Sequence, residues 1–282
     1  MCTLIIGRNV LAPDTLILAA NRDERPERPS QAPVVLSTSP RVVGGRDEVA
    51  GGTWLAVREG RAVVAMLNRR DTPGASAEGR RSRGLLALDV ATAPALYALE
   101  MDPSGERREL LQQIQAVSGP GLPNAALCRA FAALWADRYA PFSMFFATAE
   151  QAWLLSLDAG GSPRVRVVPN GWHVLTHSDV DDELEPRTAR LLYDLAFFRP
   201  LSAEKAEQRL GDLMRSHGQT RGAGGDSRPV PPVCLHDGPM VTVSSSIVLL
   251  TRDHARLLHT EGRPCEQRFA DHSGLLAEQV GA

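Results

Sequence analysis

Leu16-Ile17-Leu18-Ala19-Ala20-Asn21-Arg22-Asp23-Glu24-Arg25 is the stretch on which the fold turns. An apolar run ends here abruptly in charge. It follows a second apolar run, Thr3-Leu4-Ile5-Ile6-Gly7, which opens directly behind Met1-Cys2. Short apolar runs bounded by turn residues read as strands, and Pro13-Asp14 between these two is a turn signal. A hairpin centred near Ala12–Pro13 pairs positions that sum to about 25, which sets Asp23 opposite Cys2 on one face, with Cβ atoms about 4.5–5.5 Å apart. By alternation Asn21 shares that face, and Arg22 and Glu24 point away. A slip of one residue brings Arg22 or Glu24 to Cys2 instead.

The chemistry of that pairing starts at the second residue. A small residue at position 2 permits removal of Met1, which leaves Cys2 with a thiol and a free α-amine together. The amine has an ordinary pKa near ~7.7–8 and the thiol near ~8.5, so the amine can take the thiol proton close to neutral pH. Nucleophile and base then reside on one residue, the logic of N-terminal nucleophile hydrolases. Asp23 can hold and orient the amine. Farther along, Met66-Leu67-Asn68-Arg69-Arg70 places Asn68 at the end of an apolar strand. An amide there can donate to a developing oxyanion, an effect worth about 2.7–4 kcal/mol in other enzymes; the alternative is a turn asparagine.

Composition narrows the field further. The chain has 282 residues, 43% hydrophobic and 23% charged, with a net charge of −2. That is enough apolar material for a large core, and it supplies no bulk electrostatic attraction to nucleic acid or an anionic membrane. Of 31 basic residues only Lys205 is lysine, which leaves no Gly-Lys-Ser/Thr phosphate loop and disfavours Schiff-base chemistry. Cys2, Cys128, Cys234 and Cys265 form no Cys-x-x-Cys pair, and the histidines form no His-Glu-x-x-His. No metal and no cofactor are expected, with a site assembled from distant ligands left open. Cys128 reads as core, Cys234 and Cys265 as loop or strand-edge residues without an evident partner, and His254 and His259 as surface. No secretory leader is visible, and no apolar run reaches the ~18 residues needed to span a bilayer. A soluble cytoplasmic protein is the expectation.

The order of elements reads as strands, helices, strands, helices, strands, an α+β arrangement in one domain over residues 1–282. Strands are expected at Arg41–Gly45, Thr53–Val57 and Ala62–Leu67, the last two joined by a tight turn at Arg58-Glu59-Gly60-Arg61, and Gln31–Ser39 reads as a loop. Helices are expected behind Ser82, over Arg107–Val117, over Asn124–Arg138 with Asn124 as cap, over Arg187–Phe198, and over Ser202–His217 with Ser202 as cap. Strands return at Ser143–Thr148, Trp153–Leu157, Arg164–Val168 and Trp172–Thr176, then at Val241–Thr251 and Ala255–His259. The Gly/Pro/Arg-rich stretch 219–232 reads as a flexible loop.

These motifs together resemble the NRDE family, also called the Transport and Golgi organization 2 (TANGO2) family. The resemblance rests on Met1-Cys2-Thr3, Asn21-Arg22-Asp23-Glu24-Arg25-Pro26, Gly51-Gly52-Thr53-Trp54-Leu55, Asn68-Arg69-Arg70, Ser82-Arg83-Gly84 and Thr242-Val243-Ser244-Ser245-Ser246. That family in turn looks like a remote branch of the N-terminal cysteine hydrolases, among them penicillin V acylases and bile-salt hydrolases. The resemblance implies a four-layer αββα sandwich, with Cys2 at the nucleophile, Asp23 at the carboxylate that holds its amine, and Asn68 at an oxyanion donor. Asn21, Arg22, His177, Arg83 and Ser244 are the implied binding residues. The chain also departs from the acylases. Ala20 stands where they carry an arginine, Leu175-Thr176-His177 where they have Leu-Thr-Asn, and Val243 where many have a late arginine. The implied activity is hydrolysis of a linear C–N amide bond in a small or acyl-conjugated substrate. The alternative is a non-catalytic carrier of a hydrophobic ligand such as haem or an acyl lipid.

Overall fold

The structure, a computed structural model, describes residues 2–71, 78–95, 112, 114–117, 121–218 and 231–277. The chain divides into two compact units, Met1–Arg28 with Asn170–Ser273 and Pro29–Pro169 with Gly274–Ala282.

The first unit holds a six-stranded antiparallel sheet. Its strands are β1 (Thr3–Arg8), β2 (Leu16–Glu24), β10 (Gly171–Leu175), β11 (Val241–Leu250), β12 (Ala255–Glu261) and β13 (Ala270–Asp271), in the spatial order β10-β1-β2-β11-β12-β13. The continuous apolar runs at Thr3 and Leu16 have the expected cause: β1 is buried at every position, so neither face alternates to water. Ile5, Ile17, Ala19, Val174, Ile247 and Leu249 on one face pack against Leu191 and Leu195 of α3 (Pro186–Leu195) and Leu210, Leu213 and Met214 of α4 (Ala203–Met214). Each fully buried Leu, Ile, Val or Met among them contributes about 1.5–3 kcal/mol. Ser202 caps α4 as expected, accepting from the Lys205 N–H, and Glu204 adds a negative charge in the first turn. Helix α3 begins differently. Glu185 is the cap, accepting from Thr188 N, and Pro186 occupies the first turn, where its missing N–H costs nothing. This start fixes the position of Arg187.

The second unit holds a seven-stranded antiparallel sheet ordered β3-β4-β5-β6-β7-β8-β9. The strands are β3 (Ser30–Thr38), β4 (Arg41–Asp47), β5 (Leu55–Arg58), β6 (Ala62–Asn68), β7 (Phe142–Thr148), β8 (Ala152–Leu157) and β9 (Pro163–Val167). Helices α1 (Arg83–Ala91) and α2 (Leu122–Ala136) share its core through Leu86, Val90, Leu127 and Phe131, packed with Val64, Met144 and Phe146. Glu59 and Gly60 both take positive φ (49° and 62°), the primed hairpin turn expected between β5 and β6.

Several expectations are corrected. Gln31–Ser39 is not a loop but most of β3, an edge strand that tolerates Pro33 because its register breaks between Gln31 and Val34. Asn124 does not cap α2; Gly121, at φ 80°, does, and Asn124 lies inside the helix, where its Oδ1 accepts from Cys128 Sγ. His259 is buried in β12 with Nδ1 2.8 Å from Ser246 Oγ, not at the surface. Cys128 is core, as expected. Most of the helix expected at Arg107–Val117, and residues 219–230 of the expected loop, lie outside the described residues. Among the described residues no helix is long and apolar enough to cross a membrane.

Two quoted motifs meet in this second unit for a steric reason. Gly52 backs directly onto Gly84, so that a Cβ at Gly52 would lie 2.2 Å from the Gly84 carbonyl carbon. The Thr53 N–H donates to Gly84 O at 3.0 Å. Gly-Gly-Thr-Trp and Ser-Arg-Gly are therefore the two sides of one close approach between the segment leading into β5 and the start of α1.

Candidate active site

The loop Asn9–Thr15 decides what faces Cys2. Asn9 and Asp14 both adopt φ 53°, and Asn9 clamps Thr15 by two hydrogen bonds, Asn9 N to Thr15 O at 2.8 Å and Thr15 N to Asn9 Oδ1 at 3.2 Å. This loop centres on Ala12, so β1 and β2 pair Thr3 with Asn21 and Leu4 with Ala20, a sum of 24. The expected register is corrected by one residue. Carried one step outward, it sets Arg22, not Asp23, opposite Cys2. On the other side β1 pairs Leu4 with Leu175. The pairing ends there, and buried His177 follows two residues past the end of β10.

Asp23 reaches Cys2 by its backbone. The half-buried Cys2 donates its Sγ–H to the Asp23 carbonyl at 3.7 Å. The Asp23 side chain lies with Thr3 and Asn21 on the opposite face of the strand pair. There its Oδ1 accepts from Thr242 Oγ1 at 2.7 Å, and its Oδ2 lies 3.5 Å from Arg187 Nη1. The same Nη1 donates to Thr3 Oγ1 at 2.9 Å. Burial pushes the Asp23 carboxyl up from its ordinary range, while the Thr242 hydroxyl and the Arg187 charge pull it back. Burial also pushes the Cys2 thiol up, and the Asp23 charge adds to this; the Asp23 carbonyl and the Arg22 charge oppose it.

A bulge completes the arrangement. β11 pairs Thr242 with Asp23 and then Ser244 with Arg22, leaving Val243 as the extra residue. Two residues apart on a regular strand share a face. The bulge instead sends Thr242 to the Asp23 side and Ser244 to the Arg22 side. Ser244 Oγ is buried and has no hydrogen-bond partner among the described residues.

Other expected residues are placed as follows. Asn21 is buried and donates its amide N–H groups to Met214 O and Val233 O, 3.0 and 3.1 Å away. It thus bridges two backbone segments. Arg83, at the start of α1, donates Nη1 to Pro141 O at 2.8 Å. Asn68 is the exposed last residue of β6, in the second unit. A cavity of about 480 Å³ in that unit is bordered by Trp135, Tyr139, Arg80 and Arg138; Cys2 and Asp23 are not among its lining residues.

Arg187 and Thr242 were not singled out from sequence. Thr242 stands in a quoted motif, and Pro186 marks a helix start, but only the fold brings either to Asp23. One group of distant metal-ligand types, left open by the sequence, does come together. His217, Cys234, His236 and Cys265 in the first unit gather their ligand-type atoms within 4.8 Å of one another.

The sequence profile of the Transport and Golgi organisation 2 family matches residues 1–198. The chain belongs to that family. A comparison with curated protein sequences finds no match. Among solved structures, this family member is similar to the penicillin V acylase of Agrobacterium tumefaciens, with a TM-score of 0.52 at 10% identity, over 100% of this chain and 90% of that one. An N-acylethanolamine-hydrolyzing acid amidase ortholog from Caenorhabditis elegans matches at 14% identity over 90% and 98% of the two chains, with a TM-score of 0.48. A conjugated bile acid hydrolase of Clostridium perfringens matches at 10% identity over 96% of each, with a TM-score of 0.40. At these identities the likeness is one of fold. The expected class, α+β of the N-terminal nucleophile hydrolase type, is the fold this TANGO2-family chain shares with the penicillin V acylase.

Proposed function

We propose that the chain is an N-terminal cysteine amidohydrolase acting on a linear C–N amide bond of a small or acyl-conjugated substrate. The observation that carries this reading is the surroundings of residue 2: a half-buried thiol hydrogen-bonded to the Asp23 carbonyl, on a strand register that runs on to Arg22. Cleavage of Met1 exposes the Cys2 α-amine, and Asp23, held by Thr242 and Arg187, supplies its counter-charge. The amine takes the thiol proton and the thiolate attacks the amide carbonyl, forming a C–S bond. Collapse breaks the C–N bond, and the proton held by the amine leaves on the departing nitrogen. Water, deprotonated by the same amine, then cleaves the thioester and restores the thiol. On the motif alone we assign the oxyanion donor to Asn68. Arg22 takes the cationic place that Ala20 cannot fill. His177 is assigned as a further donor, and Ser244 with Arg22 as binding groups on the thiol side of the sheet.

The test is the purified chain with a panel of N-acyl amides. We expect an intact mass lacking Met1, preferential alkylation of Cys2, and an acyl adduct on Cys2 that hydroxylamine releases. Retention of Met1 in active protein, or acyl release by Cys2→Ala equal to that of the wild type, would overturn the reading.

A further inference from the structure

Three segments distant in sequence converge in the first unit: the chain just past α4, the approach to β11, and the turn after β12. Each brings soft or imidazole ligands. His236 Nε2 lies 3.1 Å from both His217 Nε2 and Cys265 Sγ. Cys234 Sγ lies 3.6 Å from Cys265 Sγ and 3.9 Å from His236 Nε2. Bond lengths of about 2.3 Å to sulfur and 2.0–2.1 Å to nitrogen require ligand atoms of a tetrahedral zinc to stand roughly 3.3–3.8 Å apart. These four contacts bracket that spacing, and all four atoms lie within 4.8 Å of one another. A disulfide does not explain them: its sulfurs would stand at about 2.05 Å, both cysteines are free, and it would give the two histidines no reason to turn their Nε2 atoms on each other.

The surroundings of His236 point the same way. Its other ring nitrogen, Nδ1, faces Glu266 Oε1 at 3.7 Å, and Glu266 is itself held by Arg263 Nη1 at 3.1 Å. A carboxylate behind a ligating histidine fixes the tautomer that presents Nε2 to a metal.

We propose that His217, Cys234, His236 and Cys265 form a closed structural site for one zinc ion. Two thiolates and two imidazoles in a tetrahedral array select zinc among the common divalent ions. One Zn²⁺ replaces the thiol protons of Cys234 and Cys265, releasing two protons and leaving a neutral centre. With four protein ligands no position is open for catalysis, so the ion acts as a clip. What it clips is specific. Met214 and Val233, the two backbone partners of Asn21, lie three residues before His217 and one before Cys234. Leu235, between Cys234 and His236, donates its N–H to Thr242 Oγ1, the hydroxyl that holds Asp23. The clip thus fastens the segments that support Asp23, whether or not Cys2 turns over.

The experiment uses the untagged full-length chain, purified under reducing conditions. Elemental analysis should give one zinc per chain. Replacement by Co²⁺ should give the visible bands of tetrahedral cobalt with thiolate-to-cobalt charge transfer. Cys265→Ser and His217→Ala should each weaken Co²⁺ binding at least tenfold, while Cys2→Ala leaves it unchanged, which separates this site from the proposed nucleophile. His217 is exposed, so its variant keeps the test valid if Cys265→Ser fails to fold. A folded wild type that takes up neither zinc nor Co²⁺, a Cys234–Cys265 disulfide in its place, or unchanged cobalt spectra in His217→Ala would overturn the proposal.

Discussion

Arg187 Nη1 stands 3.5 Å from Asp23 Oδ2, and both side chains are buried. The two residues lie far apart in the sequence and close the polar centre behind the Cys2 strand. Removing one member of a buried pair leaves the other charge without compensation, at a cost of about 3–5 kcal/mol. Arg187→Met should therefore destabilise the chain by that order, read as a lower urea midpoint with an unchanged slope.

Asp23→Asn should separate two effects. The Asp23 charge is the second cause, after burial, of the raised Cys2 pKa. Its removal should shift the pH profile of Cys2 alkylation downward, so iodoacetamide reacts faster at a fixed pH. In the chain lacking Met1 the same variant should lose acyl transfer, because the α-amine has lost its counter-charge. A fall in both rates together would contradict the assignment.

Gly52→Ala should destabilise by about 3 kcal/mol or more, since its Cβ would meet the α1 backbone, which cannot give way. Gly51→Ala should cost less, about 1 kcal/mol, because its Cβ would meet nothing within 4 Å and only the positive φ of 72° is strained. Thermal denaturation of the two variants side by side checks the contrast.

His259 should make the chain acid-sensitive. Burial, then the nearby His272, pushes its pKa from 6.5 to about 4. The unfolded chain takes up this proton near 6.5 and the folded chain only near 4. Stability is thus full above the upper value and is lost as pH falls through the window. At about 1.36 kcal/mol per unit the loss is about 3 kcal/mol. His259→Asn should flatten that part of the pH dependence in urea titrations at pH 7 and pH 4.5.

Much of this molecule is legible in its sequence because the signals are local. The apolar runs behind Met1-Cys2 and before Asn21 are β1 and β2, Ser202 caps α4, Glu59-Gly60 turns the hairpin, and the spaced motifs identify the family. Each depends on neighbours a few residues away, whose sterics and hydrogen bonds the residue types already specify. The relations that shape the candidate site are different in kind. The loop clamp of Asn9 on Thr15 moved the hairpin register by one and brought Arg22 in place of Asp23 level with Cys2. The bulge at Val243 parted Thr242 from Ser244. Arg187, and the cluster of His217, Cys234, His236 and Cys265, arise only when distant segments close on one another. No spacing along the chain encodes these contacts. Side-chain type and local pattern belong to the sequence alone, whereas a one-residue register and the meeting of remote ligands are set by the packing of whole elements, and only the tertiary structure decides them.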